Sequence, residues 1–309
     1  MVLIGAAAAA LGGGGLAAAL MTRDGDSGLT QLTLATGPKG AVYLLVGTDI
    51  ARVVQSYSPS TEVKVLSTAA TVENLQLLAR RAVDIGFASL DAAAVDPQVR
   101  RGTLTGLCRV YDSNLHLVVL ADSPVESLRD LNGRRVSVGG SGSGTEFTAR
   151  RLLSTVGVQP RQVRTLGQSP SMAALDSGAI DAAFSLTGIP TPAISDLAAR
   201  RDLRLIPLGE YFGDLERTVP HAYAPVPIPD GTYRGVAAVD SVLVPNVLFA
   251  RPELPAKTVT LLMDAIFAEE SRRFWTNPDS KRINLQMATV TGGTTLHPAA
   301  ADWLRRHRS

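Results

Sequence analysis

The chain has 309 residues, 45% hydrophobic and 19% charged, enough apolar material for about two domains at ~150 residues each and too little charge for a disordered polymer. Thirty Lys+Arg against 28 Asp+Glu leave a net charge of +2, so no strong field favours nucleic acid or an anionic membrane surface. A single cysteine, Cys108, excludes an internal disulfide framework and a cysteine-cluster zinc site, and His116, His221, His297 and His307 form no His-x-x-x-His pair.

Val2 to Met21 carries no charge and has roughly the ~20-residue length needed to cross a bilayer. No Lys or Arg precedes Arg23, and Ala17-Ala18-Ala19 offers a small-residue cleavage site. An export signal or membrane anchor is expected here, with a flexible Ala/Gly leader as the plainer alternative. The stretch TRDGDSG, residues 22–28, reads as a polar linker. Residues 1–28 are therefore set apart, and the rest is expected outside the cytoplasmic membrane.

From Leu29 onward, short apolar runs alternate with helical spacing. Leu32 to Ala35, Glu62 to Leu66 and Asp84 to Ala88 read as strands. Val42, Leu45, Val46, Ile50, Val53 and Val54 recur at helical spacing, and Thr71 to Arg80 reads as a second helix. This β-α-β-α-β order implies a parallel sheet covered by helices. The pattern returns: Leu115 to Leu120, Val136 to Val138, Val163 to Leu166, Ile180 to Ser185 and Leu203 to Ile206 as strands, with Thr145 to Thr155 and Met172 to Asp176 as helices. Pro220 to Pro229 shows no period and is expected to cross between lobes. Val236 to Val244 reads as a strand, Val259 to Phe274 as one helix, and Pro298 to Arg306 as a short last one. The expected architecture is two α/β lobes, residues 29–112 with 241–309 forming one and residues 113–240 the other.

The turn Gly139-Gly140-Ser141-Gly142-Ser143-Gly144-Thr145 lies between a strand and a helix, where exposed N–H groups and a positive helix end suit an anion. Thr145 stands where a P-loop requires lysine, which disfavours a nucleotide site and leaves a small anionic or polar ligand as the leading reading, with a purely structural turn as the alternative. Thr36-Gly37-Pro38-Lys39-Gly40 occupies the matching place in the first lobe. Two such turns facing each other would make a two-jawed site outside the carboxyl ends of the strands. Ser141 and Ser143 fit no G-x-S-x-G elbow, His116 sits inside an apolar strand as a core histidine, and Cys108 reads as buried. No catalytic residue, metal or cofactor is expected, and an enzyme is disfavoured.

Ala35-Thr36-Gly37-Pro38-Lys39-Gly40-Ala41-Val42-Tyr43 resembles the opening motif of the TAXI family of TRAP-transporter solute receptors. The likeness continues through Glu73-Asn74-Leu75, residues 82–87, residues 128–139 and Gly142 to Thr145. It extends through residues 181–184, residues 188–194, Ile228 to Tyr233 and Leu296-His297-Pro298, covering about residues 30 to 300. Ser89-Leu90-Asp91 departs from the family's usual Gln-Ser-Asp, and Ala41 and Ala299 stand where glycine is common. The resemblance implies a type II periplasmic-binding-protein fold whose lobes close on a small organic acid or amino acid, glutamate-like or dicarboxylate, and deliver it to TRAP-type permease subunits. A ligand-sensing module of a membrane signalling system is the alternative use of the same fold. A carboxylate is expected against Ser143, Gly144 and Thr145 from one lobe and Thr36, Gly37 and Tyr43 from the other, with Asn74 and Ser89 as further candidates.

Overall fold

Apolar runs too short for helices pair into one ten-stranded sheet, and the amphipathic segments between them cover it. The structure, a computed structural model, describes residues 30–307; the export or anchor segment expected in residues 1–28 lies outside them. The chain begins β1 (Gln31–Ala35), α1 (Val42–Tyr57), β2 (Glu62–Leu66), α2 (Thr71–Ala79), β3 (Ile85–Ser89) and the short helices α3 (Leu90–Val95) and α4 (Pro97–Arg100). A 16-residue strand follows, β4 (Thr105–Leu120). Next come β5 (Arg135–Ser137), α5 (Gly144–Val156), β6 (Gln162–Arg164), α6 (Gln168–Asp176), β7 (Ala182–Thr187), α7 (Pro192–Ala198) and β8 (Leu203–Leu205). The chain then runs α8 (Phe212–Thr218), β9 (Ala224–Ile228), β10 (Val239–Ala250), α9 (Ala256–Phe267), α10 (Pro278–Lys281), α11 (Leu285–Ala288) and α12 (Pro298–His307).

The strand order is β2-β1-β3-β10-β4-β7-β5-β6, with β8 added on β4 and β9 on β10. β1 pairs in parallel with β2 and β3, and β5 with β6 and β7. Parallel neighbours need crossovers, which α1 and α2 supply in one half and α5 and α6 in the other. Two long antiparallel strands join the halves. β4 pairs with β10 from Thr105 to Asn114, then with β7 from Asn114 to Val118. β10 pairs with β9 from Val239 to Leu243 and with β3 from Asn246 to Ala250. Both strands thus exchange outer partners around Asp112–Asn114 and Leu243–Asn246.

Each half has its own apolar packing. Val46, Ile50, Val53 and Val54 form one fully buried stripe of α1 against Leu32 and Leu34 of β1, with Leu262 of α9 and Trp303 of α12 in the same cluster. Burying each such side chain contributes roughly 1.5–3 kcal/mol. In the other half Ala149 and Leu152 of α5 pack with Val136 and Phe184, while Leu175 and Leu197 cover the opposite sheet face at Val118 and Ala183.

Three sequence expectations are corrected. Residues 220–229 are not an irregular crossing: Ala224–Ile228 is a strand, with Pro225 and Pro227 opposite Val242 and Asp240 of β10. Both prolines are exposed on an outer strand, where a missing N–H is tolerated. The long helix expected from Val259 breaks at Ala268, whose ψ of 138 is extended, and resumes as a 3-10 turn over Glu269–Phe274. The run Leu115 to Leu120 is only the second half of β4, which begins ten residues earlier at Thr105.

Candidate functional site

Parallel strands deliver the chain into turns and helices at one edge of the sheet, so helix N-termini gather there. Four of them border a single cavity of about 210 Å³. The wall includes Ala41–Val42 opening α1, Ala70–Thr71 opening α2, Ser143–Gly144 opening α5 and Gly167–Gln168 opening α6. Each N-terminus presents N–H donors and roughly half an elementary positive charge. Among the described residues no charged side chain lines the cavity. Tyr43, Tyr111, Phe184 and Leu186 supply its apolar wall.

Capping separates these four ends. Ser143 Oγ accepts from the Glu146 N–H at 3.1 Å, and Glu146 Oε2 accepts from the Gly142 N–H at 2.9 Å. Ala41, Ala70 and Gly167 make no side-chain cap. Replacing a good N-cap by alanine costs about 1 kcal/mol, so α1 and α2 begin with donors that a stability-optimised sequence would have satisfied. The glycine turn is shaped as the sequence suggested. Gly139 has φ +95°, and a Cβ there would stand 2.5 Å from Thr145 Cβ.

Ala70 carries backbone strain at this site, with φ 86° and ψ −143° on a residue that has a Cβ. Such conformations cost of order 1–3 kcal/mol and concentrate at ligand clamps. Ala70→Gly is therefore expected to raise unfolding free energy by about 1 kcal/mol in a urea titration. A lower denaturation midpoint would show that the strain is absent.

The expected site residues divide into two groups. Tyr43, Ser89, Ser143, Gly144 and Thr145 line the cavity; Thr36, Gly37 and Asn74 do not. Tyr43 hydroxyl donates to Asn246 Oδ1 at 2.6 Å and lies 3.3 Å from Thr71 Oγ1, while burial raises its pKa and keeps it protonated. Thr145 Oγ1 accepts from the Leu186 N–H at 3.0 Å. Asn74 is saturated: Nδ2 donates to the carbonyls of Thr36 and Phe87 at 2.7 and 2.8 Å, and Oδ1 accepts from Thr68 Oγ1 at 2.6 Å. Thr36 Oγ1 donates to the Leu66 carbonyl, and the Gly37 carbonyl accepts from Ser67. These three residues hold the first turn from behind. Sequence reasoning missed Thr71, Gln168, Thr187 and Asn246, all on the wall. Gly167-Gln168 could have been found, because it follows β6 as the glycine turn follows β5.

The two halves of the sheet meet around this cavity. The Val72 N–H donates to the Gly142 carbonyl at 3.0 Å, joining the α2 and α5 ends. Buried Asp91 of α3 accepts from Thr148 Oγ1 of α5 at 2.5 Å and from the Tyr223 hydroxyl at 3.2 Å. On the other flank, Arg282 donates to the Ile189 carbonyl at 3.2 Å and to Asp279 at 2.9 Å.

Asp279 lies directly against the Gly188 backbone, and burial raises its pKa to about 6 despite Arg282, with Asp112 adding repulsion. A solvated aspartate loses its proton near ~3.9. Between these values the folded protein binds more protons than the unfolded one, so stability is expected to fall as pH rises from about 4 through about 6. Asp279→Asn should flatten that slope in denaturant titrations across this range. An unchanged slope would remove Asp279 as its source.

His116 is buried and does not line the cavity. Nδ1 lies 2.8 Å from the Asn114 carbonyl and Nε2 2.9 Å from the Tyr233 hydroxyl. Burial lowers its pKa to about 4, so it is neutral at physiological pH. Burial pushes the Cys108 thiol up to about 12, which leaves it unreactive. Among the described residues no cluster of His, Cys, Asp and Glu could hold a metal ion, and no helix is long and apolar enough to cross a membrane.

Solved structures share this architecture. A protein from Bordetella bronchiseptica RB50 aligns with TM-score 0.53 and 15% identity over 90% of this chain and 89% of its own. A periplasmic transporter aligns with TM-score 0.53 and 13% identity over 89% and 92%. A Listeria monocytogenes protein named as a candidate L-cystine ABC transporter aligns with TM-score 0.51 and 13% identity over 80% and 94%. At these identities the likeness is one of fold, the mixed α/β fold of periplasmic solute-binding proteins. Residues 34–305 match the NMT1-like family, and with nearly the whole described chain inside that match, the protein belongs to the NMT1-like family.

Proposed function

We propose that the protein is an extracytoplasmic solute-binding receptor that closes two lobes on a small organic acid or amino acid. The observation that carries this reading is the convergence of four helix N-termini on one cavity without a charged lining side chain. Donors and partial positive charge fixed in the backbone hold a carboxylate without burying a Lys or Arg that would need its own partner. In the proposed division, residues 29–112 and 241–309 form one lobe and 113–240 the other, hinged where β4 and β10 exchange partners. Ser143, Gly144 and Thr145 then act from one jaw, with Tyr43, Thr71 and Ser89 from the other.

The delivery partner we infer is a TRAP-type permease, on the TAXI-like motifs of Ala35 to Tyr43 and Leu128 to Gly139, with ligands drawn from the glutamate-like and dicarboxylate range. The chain's place outside the cytoplasmic membrane follows from the same reading. Native mass spectrometry of freshly purified protein tests capture. A co-purified small acid that is released on unfolding is expected, and failure to retain or bind any such solute would overturn the proposal.

A further inference from the structure

Leu186 and Thr187 at the end of β7 line the cavity, and the two residues that follow them are held from outside by α10. Arg282, just past α10, donates to the Ile189 carbonyl at 3.2 Å and to Asp279 Oδ1 at 2.9 Å. The Asp279 carboxylate occupies the space that a side chain at Gly188 would need. A Cβ there would stand 2.5 Å from Asp279 Cγ and 2.9 Å from Oδ1. Glycine is what lets α10 approach the β7 end so closely.

A helix of four residues does not hold its own position. α10 is fixed by Asp49 of α1, which is 1% exposed and accepts from the Thr276 N–H at 2.9 Å, the Thr276 hydroxyl at 2.7 Å and the Asn277 N–H at 2.9 Å. Asn277 Oδ1 then caps α10 by accepting from the Asp279 N–H at 2.9 Å. The same helix α1 thus carries a wall residue of the cavity, Tyr43, and the anchor of an arm that reaches β7.

We infer that Asp279 and Arg282 are positioning residues for the solute, seating the Leu186–Thr187 end of β7 against the cavity when the lobes close. The inference rests on the solute-binding reading above and its lobe division, in which α10 belongs to one lobe and β7 to the other. Neither residue lines the cavity, so both act through the backbone of Gly188 and Ile189. Losing the arm lowers the fraction of molecules with this wall in place, and apparent affinity falls by that fraction.

Calorimetric titration of the full chain with L-glutamate and with succinate tests this, with thermal melting alongside. Arg282→Met keeps the aliphatic stem of a side chain that is 55% exposed and removes both of its hydrogen bonds. It is expected to weaken binding about tenfold while the melting temperature stays near the parent's. Gly188→Ala should weaken binding about a hundredfold, because the added methyl pushes the arm away. Asp279→Ala removes the atoms that this methyl meets. The double variant Gly188→Ala with Asp279→Ala should therefore bind about tenfold more tightly than Gly188→Ala alone. General loosening of the fold would instead make the double variant weaker still, so recovered affinity separates positioning from packing. Parental affinity in both Arg282→Met and Gly188→Ala, or a double variant no tighter than Gly188→Ala, overturns the inference and leaves solute binding intact. A parent chain that binds neither probe overturns the inference together with the ligand range. The receptor reading itself fails only when no co-purified or added solute of any class is held.

Discussion

Gly144→Leu is expected to weaken solute capture at least about a hundredfold while leaving both halves of the protein folded. A Cβ at Gly144 would already stand 2.7 Å from Ser89 Oγ and 3.0 Å from Thr71 Oγ1, across the gap between the α5 and α2 ends. The rest of a leucine side chain has no room there unless the gap widens. Widening it separates Gly142 from Val72, whose hydrogen bond joins the two helix ends. Apparent affinity falls with the fraction of molecules that can close, so excluding the closed arrangement removes capture rather than trimming it. Gly144→Ala should give an intermediate loss of about tenfold, because the neighbours it meets are two hydroxyl ends that can turn aside. Overpacking at this boundary costs roughly 1–3 kcal/mol, less than a domain's stability. The measurement is calorimetric titration with the co-purified solute, with thermal melting as the control for folding. Parental affinity in a folded Gly144→Leu would falsify the proposed position of the closing contact.

The parallel units were legible because their signals are local. The stripe Val46, Ile50, Val53 and Val54 and the short run Leu32 to Ala35 announce a helix and a strand without reference to the rest of the chain. The first half of β4 was hidden by charge. Arg109 and Asp112 interrupt its apolar run, and only the fold shows that they neutralise each other, with Nε and Nη2 on the two carboxylate oxygens at 2.8 and 2.6 Å. β9 was hidden by prolines that only an outer position excuses. At the cavity, the glycine turn before α5 was readable as a donor-rich helix entrance. The Thr36–Gly40 turn before α1 was readable in the same way, and the Gly167-Gln168 entrance of α6 could have been read from its place after β6. The α2 entrance was not, because Ala70 carries no capping chemistry to notice. The motif residues Thr36 and Asn74 show the converse limit. Their side chains shape the turn through hydrogen bonds to backbone carbonyls, and a sequence motif does not distinguish a residue that touches the solute from one that braces those that do.

Asp91→Ala is the second large expected effect, a loss of about 2–3 kcal/mol in stability together with about tenfold to a hundredfold in capture. Burial raises the Asp91 pKa, opposed by hydrogen bonds from Thr148, Ser89, the Ala92 N–H and Tyr223. The carboxyl therefore binds α5 and the segment before β9 to α3 at a point where no solvent reaches. When it is truncated, Thr148 retains a second acceptor, the Gly144 carbonyl at 3.0 Å, so the loss falls mainly on the Tyr223 hydroxyl and the Ala92 N–H. A buried hydroxyl left without an acceptor costs about 1–3 kcal/mol, and the cavity left by the carboxyl adds to it. Asp91→Asn keeps one acceptor oxygen and should lose less. Tyr223→Phe removes the stranded donor, so the pair Asp91→Ala and Tyr223→Phe should be less than additive, with a coupling of about 1 kcal/mol in urea titrations. In the proposed lobe division this bond crosses from one jaw to the other, so the same coupling should appear in affinity as well as in stability. A cycle coupled in stability alone would place Asp91 as packing within one rigid body. Coupling in both would make it part of the closure that the four helix ends require before they can share one solute.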